Sequence, residues 1–186
     1  QPSRAPGGAF DYPNRIFPFA DMPQTDPASG RHDGLLARVT PESMPRIFYT
    51  NSSTEYWRSV SALTHTTVDG KQDLPLMDNV RIYHFAATQH SPARFPPQST
   101  ATAHLPNPND YVWFMRALLV AMDRWITGDT PPPASRYATL ETGTLVTVDK
   151  LAFPEIPGVY LLKEVSTAYA LDYGSKLAAD GIITQE

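Results

Sequence analysis

The sequence contains no cysteine. That excludes disulfides, cysteine-ligated zinc and a thiol nucleophile, and it leaves the redox compartment unread. No stretch of about 18 uncharged apolar residues occurs, so no segment reads as a membrane span. Basic charge is not in excess either, with 15 Lys and Arg against 19 Asp and Glu and a net charge of −4. Without a basic run the chain lacks the electrostatic footprint of a nucleic-acid binder. The first residue is Gln1 rather than Met, and no charged segment followed by an apolar one marks a leader. We therefore expect either a processed chain or a piece of something larger.

What is present points to a folded domain. Apolar residues make up 41% of the 186 positions, enough for a packed core and too many for a disordered chain. The 19 prolines are about twice the ordinary usage of roughly 5%. Long rigid loops between few regular elements follow from that number. Residues 1–31 hold six prolines and three glycines and read as a loop-rich lead-in. Its aromatics, Phe10, Tyr12, Phe17 and Phe19, are too many for a free linker, so the segment is expected to lie against a surface.

Residues 32–128 carry the regular elements. Asp33 can cap a short helix from Gly34 to Val39. Arg46-Ile47-Phe48-Tyr49-Thr50 is β-branched and aromatic, bounded by Pro45 and by Asn51-Ser52, and reads as a strand. Ser52-Ser53-Thr54-Glu55 has the spacing of a capping box and should open a helix to about Thr64, with Tyr56, Val60 and Leu63 as its apolar stripe. A second strand is expected over Asn79–Ala87, then Thr88-Gln89-His90 and a proline-rich loop. The strongest helix starts at Asn109 or Asp110 and stops at Gly128. It is apolar over most of its circumference, which predicts burial between layers, with Trp57 and Trp113 in the core. Residues 129–186 read as an irregular extension, with a hairpin turn at Thr142-Gly143. Strands alternating with helices predict an α/β fold with a parallel sheet.

In open α/β sheets the reactive groups lie at the carboxyl ends of the strands. Here those ends bring Asn51, Ser52, Ser53, Thr54 and Glu55 beside Thr88, Gln89 and His90. An acid followed by a histidine after two consecutive strands matches the second half of the serine–acid–histidine order of α/β hydrolases. A neutral imidazole would accept a proton from a hydroxyl, and a carboxylate would fix its tautomer. His90 fits the first role and Glu55 the second, with Asn51 and Gln89 as candidates to shape a substrate pocket.

The first half of the order is missing. No G-x-S-x-G occurs, and Ser29, Ser91 and Ser175 lack a strand–turn–helix setting. Ser52 and Ser53 follow a strand and open a helix, but without flanking glycines. Glu55 also has a plain structural role, since the third residue of a capped helix bonds back to the cap. Those two roles for Glu55 should partly exclude each other. Asp78 is the fallback acid, at the wrong end of its strand. His84 reads as a sheet-face residue, and His32, His65 and His104 as loop residues. His32, Asp33, His84, His90 and His104 show neither H-x-x-x-H nor H-E-x-x-H spacing, so neither metal nor cofactor is expected.

Several long motifs carry a resemblance. They are Thr25-Asp26-Pro27 through Gly30-Arg31 to Asp33-Gly34-Leu35-Leu36-Ala37-Arg38, the run from Pro45 to Trp57, and Asp78-Asn79-Val80-Arg81-Ile82-Tyr83 leading to Ala87-Thr88-Gln89-His90. Leu105-Pro106-Asn107-Pro108-Asn109-Asp110-Tyr111 and Ala117-Leu118-Leu119-Val120 complete the set. Together they resemble a family of large bacterial α/β-hydrolase domain-containing proteins over nearly the whole chain. The resemblance implies a partial α/β-hydrolase domain over residues 1–186. The family's serine elbow and oxyanion donors would precede Gln1, in the missing N-terminal half of the domain or on a companion chain. It implies a fold and a hydrolase label rather than a substrate. Taken with the acid and histidine at the strand ends, the expectation is an esterase-like serine hydrolase of a small-molecule carboxylic ester. A non-catalytic α/β domain that binds a ligand or partner is the alternative.

Overall fold

The structure is a computed structural model that describes residues 17–98, 104–165, 176 and 180–182. Two parallel strands organise it. β1 (Gln24–Thr25) and β2 (His32–Asp33) form a small antiparallel ladder, while β3 (Ile47–Ser52) and β4 (Val80–Phe85) pair in parallel. The parallel register runs from Ile47 opposite Val80 to Ser52 opposite Phe85, so both carboxyl ends finish level. Between them the chain crosses over through α1 (Ser53–Arg58), a 3₁₀ turn at Ser61–Thr64 and a loop. This is the α/β architecture that the alternation predicts.

The two sheet faces are covered differently. Phe48 and Tyr83 meet edge-on at 5.2 Å on the face that receives α2 (Val112–Gly128), and Trp125 stacks on Phe48 at 5.6 Å. Arg46 and Arg81 lie over the same indole, 5.2 and 5.3 Å from its centre. Val80 and Ile82 are buried on the other face, and His65 and Thr66 are also fully buried. The far edge of β4 is met by residues 133–136. Arg136 donates to the Ile82 carbonyl at 2.8 Å and accepts from His84 N–H at 2.7 Å, and Ser135 Oγ accepts from Ile82 N–H at 3.1 Å. A short bridge therefore extends the sheet, a feature concealed in the sequence by Pro131-Pro132-Pro133.

Part of the lead-in lies outside the described residues, including Phe10 and Tyr12. The rest lies against the body as expected. Phe17 is buried edge-on to Phe19, and Asp21 accepts a hydrogen bond of 2.9 Å from the Tyr49 hydroxyl. Gln24 reaches the crossover loop, where its Oε1 accepts from Val68 N–H at 3.0 Å.

Four expectations are corrected. Asp33 caps a turn, not a helix: its Oδ1 accepts from Gly34 N–H, and only single turns follow to Val39. The helix opened by Ser52 ends at Arg58 rather than Thr64, because Val60 adopts a left-handed conformation with φ 51° and the chain restarts as a 3₁₀ turn. Thr142-Gly143 makes a turn, with Gly143 at φ 66°, but no strands flank it. Trp125 is the one buried residue of α2. Trp113 is 68% exposed, with Arg116 over its ring, and Leu119 and Ile126 are exposed too. The apolar pattern predicts contact on both sides, whereas among the described residues α2 is packed on the sheet side alone.

Candidate active site

The level strand ends put the loop after β4 directly beside the start of α1. Ser53 N–H donates to the Thr88 carbonyl at 3.2 Å, and Ala87 N–H donates to Ser53 Oγ at 3.0 Å. Ala87 itself turns through φ 57°, which bends the chain back toward α1. His90 is then tethered at its backbone, where its N–H donates to Thr54 Oγ1 at 3.2 Å and its carbonyl accepts from the Tyr111 hydroxyl.

Those tethers bring the imidazole onto the carboxylate. His90 Nδ1 lies 2.5 Å from Glu55 Oε1. The other oxygen, Oε2, accepts from Ser52 N–H at 2.6 Å and from Ser52 Oγ at 2.5 Å. Ser52 Oγ in turn accepts from Thr54 N–H at 3.2 Å, so the capping box is complete. The expected conflict between cap and histidine partner does not arise, because a carboxylate has two oxygens and each serves one role. Burial pushes the Glu55 carboxyl up, but hydrogen bonds from Ser52 and His90 outweigh it and hold the group below the ordinary 4.5. Glu55 is an ionised partner at neutral pH.

A cavity of about 200 Å³ opens at this pair. Thr50, Ser52, Glu55, Phe85, His90, Tyr111 and Met115 line it, with the Tyr111 ring stacked on Phe85 at 5.1 Å. Tyr111 and Met115 come from the start of α2, which the strand-end argument does not reach. No local pattern in the sequence marks either residue as part of the site. Asn107 holds the histidine loop in place: its Nδ2 donates to the Ala87 carbonyl at 2.8 Å, and its N–H donates to Gln89 Oε1 at 2.9 Å.

The other candidates lie elsewhere. Asn51 does not line this cavity; its Oδ1 accepts from Ser61 Oγ at 3.4 Å, on the opposite sheet face. Gln89 does not line it either and is bound into its own loop, donating to the Ser91 carbonyl at 2.5 Å. Asp78 stays at the far end of β4. Ser53 Oγ sits 3.4 Å from His84 Nε2, and burial holds the His84 imidazole below its ordinary value. His65 departs from its expected loop character: it is fully buried, with the Tyr56 hydroxyl 3.0 Å from its Nε2. Ser175 lies outside the described residues.

A second, larger cavity of about 620 Å³ lies on the α1 face, where Tyr56, Trp57, Val60, Leu63 and His84 contribute to its wall. No group of three or more metal-ligating side chains gathers among the described residues. No helix among them is long and apolar enough to cross a membrane.

Comparison with known proteins adds one finding. No curated protein and no solved structure matches the chain. The family model described as alpha/beta hydrolase domain matches residues 14–165, which include both parallel strands, Glu55, His90 and α2. The chain belongs to the alpha/beta hydrolase domain family, with the hydrolase-type function that membership suggests.

Proposed function

We propose that the chain supplies the acid and the base of a serine-hydrolase triad acting on small carboxylic esters. His90 is the general base and Glu55 its orienting acid. The observation that carries this reading is the 2.5 Å contact between Glu55 Oε1 and His90 Nδ1 at the level ends of two parallel strands. With Nδ1–H directed at an ionised carboxylate, Nε2 is the nitrogen that takes a proton from an attacking hydroxyl. Glu55 stabilises the imidazolium so formed, and His90 then returns the proton to the departing alkoxide. The acyl-enzyme is cleared by the same pair acting on water.

The attacking serine is supplied by another part of the polypeptide or by a companion chain. No G-x-S-x-G is present, Ser52 Oγ is bonded to Glu55, and Ser53 Oγ faces His84 rather than His90. The test is His90→Ala in the intact protein, assayed on p-nitrophenyl acetate. Turnover should fall by roughly 10²–10⁴-fold, the usual range for a general base. Unchanged hydrolysis sinks the assignment. Failure of a fluorophosphonate to label the intact protein would favour a ligand-binding domain instead.

A further inference from the structure

An ordinary capping box leaves the hydroxyl proton of its first residue unassigned. The cap requires that the side-chain oxygen accept a helix N–H and that the carboxylate accept the cap N–H. Both bonds are present, from Thr54 N–H to Ser52 Oγ at 3.2 Å and from Ser52 N–H to Glu55 Oε2 at 2.6 Å. The remaining proton of Ser52 Oγ could turn to solvent or to the cavity. It is donated instead to the same Oε2, with Ser52 Oγ 2.5 Å from that oxygen.

Two donors from one residue thus hold one carboxylate oxygen. The terminal torsion of a glutamate is broad and roughly two-fold, so a carboxylate held at one point still swings. Held by two donors that converge from different directions, it presents its second oxygen in one direction, and that direction is His90 Nδ1. This matters because Glu55 is the better-shielded member of the pair: its side chain is 18% exposed, against 60% for His90. Ser52 is 4% exposed and forms part of the cavity wall beside the pair. We propose that Ser52 is a positioning residue for the Glu55–His90 pair, its hydroxyl fixing one carboxylate oxygen so that the other is delivered to the imidazole. This inference rests on the hydrolytic reading of the pair.

Glycine and alanine separate positioning from capping. Glycine is nearly as good a helix cap as serine and alanine is poor, but neither carries a hydroxyl. The experiment makes Ser52→Gly, Ser52→Ala and Ser52→Thr in the intact protein, beside His90→Ala. It reads p-nitrophenyl acetate turnover and the carbon-13 titration of the Glu55 carboxyl. Positioning requires that Ser52→Gly and Ser52→Ala each lower kcat about tenfold at unchanged KM, the weight of one hydrogen bond to a charged group. Both should also move the Glu55 titration upward, and Ser52→Thr should restore both readings. A Ser52→Gly protein with wild-type kcat and titration, while His90→Ala is inactive, overturns this inference alone. An active His90→Ala protein overturns the hydrolytic reading and takes this inference with it.

Discussion

Glu55 shows how one side chain can cap the start of a helix and hold an imidazole. Its two oxygens divide the work, Oε2 to the Ser52 cap and Oε1 to His90. Glutamine at this position separates the functions, because glutamine also completes a capping box. In Glu55→Gln the amide oxygen can keep the Ser52 bond while the amide N–H₂ donates to His90 Nδ1, which places the ring proton on Nε2. That tautomer cannot accept a proton from a hydroxyl. Ester turnover of Glu55→Gln should drop roughly 10²–10⁴-fold, while its stability stays within about 1 kcal/mol of wild type. A Glu55→Gln protein that hydrolyses normally would leave Glu55 as a cap alone. The acid side is also defined: a carboxyl held below its ordinary value stabilises the fold above about pH 4.5, and loses that contribution as the pH falls through its folded value.

Among the elements, α2 buries one residue. Trp125 is its only buried side chain, held by Phe48 and by the Arg46 and Arg81 guanidiniums. Trp125→Ala should cost about 3–5 kcal/mol in urea unfolding, the range for emptying an indole from a packed site. A loss below about 1 kcal/mol would mean that α2 is anchored elsewhere. The turn after β2 is equally demanding, for a steric reason. A Cβ on Gly34 would sit 2.5 Å from the Asp21 carbonyl oxygen and 2.9 Å from Pro23 N, both backbone atoms that cannot swing away. Gly34→Ala should therefore destabilise by about 1–3 kcal/mol in the same assay.

For the whole molecule, acid stability reflects groups that folding shields or pairs. His65 is fully buried, and burial holds its imidazole below 6.5. The unfolded chain then takes up a proton before the folded one does. Stability is full above 6.5 and declines as the pH falls from there toward the depressed folded value. Thermal melts at pH 7.5 and 5.5 should show this decline, and His65→Gln, which cannot titrate, should reduce it. An equal decline in His65→Gln would remove the imidazole as its cause. Asp33 acts further down: hydrogen bonds from Arg31 and Arg38 hold its carboxyl at about 2, so its contribution persists above the ordinary 3.8 and disappears toward 2.

The local pattern by itself determined the two strands, the capped start of α1 and the existence of α2, because each rests on neighbours a few residues apart: β-branched runs, a Ser–Glu spacing, a long apolar repeat. It also placed Glu55 and His90 at strand ends. The bounds of α2 differ from that reading: the helix begins at Val112, after Tyr111 rather than a cap at Asn109 or Asp110, and runs through Gly128 to a left-handed Asp129 at φ 52°. Only the tertiary structure decided that the strand ends finish level, and hence that a carboxylate and an imidazole 35 residues apart meet at 2.5 Å. Packing likewise left Trp113 exposed and put His65 in the core, since burial depends on what lies opposite a side chain. The same holds for Ser135 and Arg136, which bond to β4 through backbone and hydroxyl groups that carry no hydrophobic pattern. Tyr111 and Asn107 reach the histidine loop from a distant stretch of chain, and no spacing along the sequence encodes that approach.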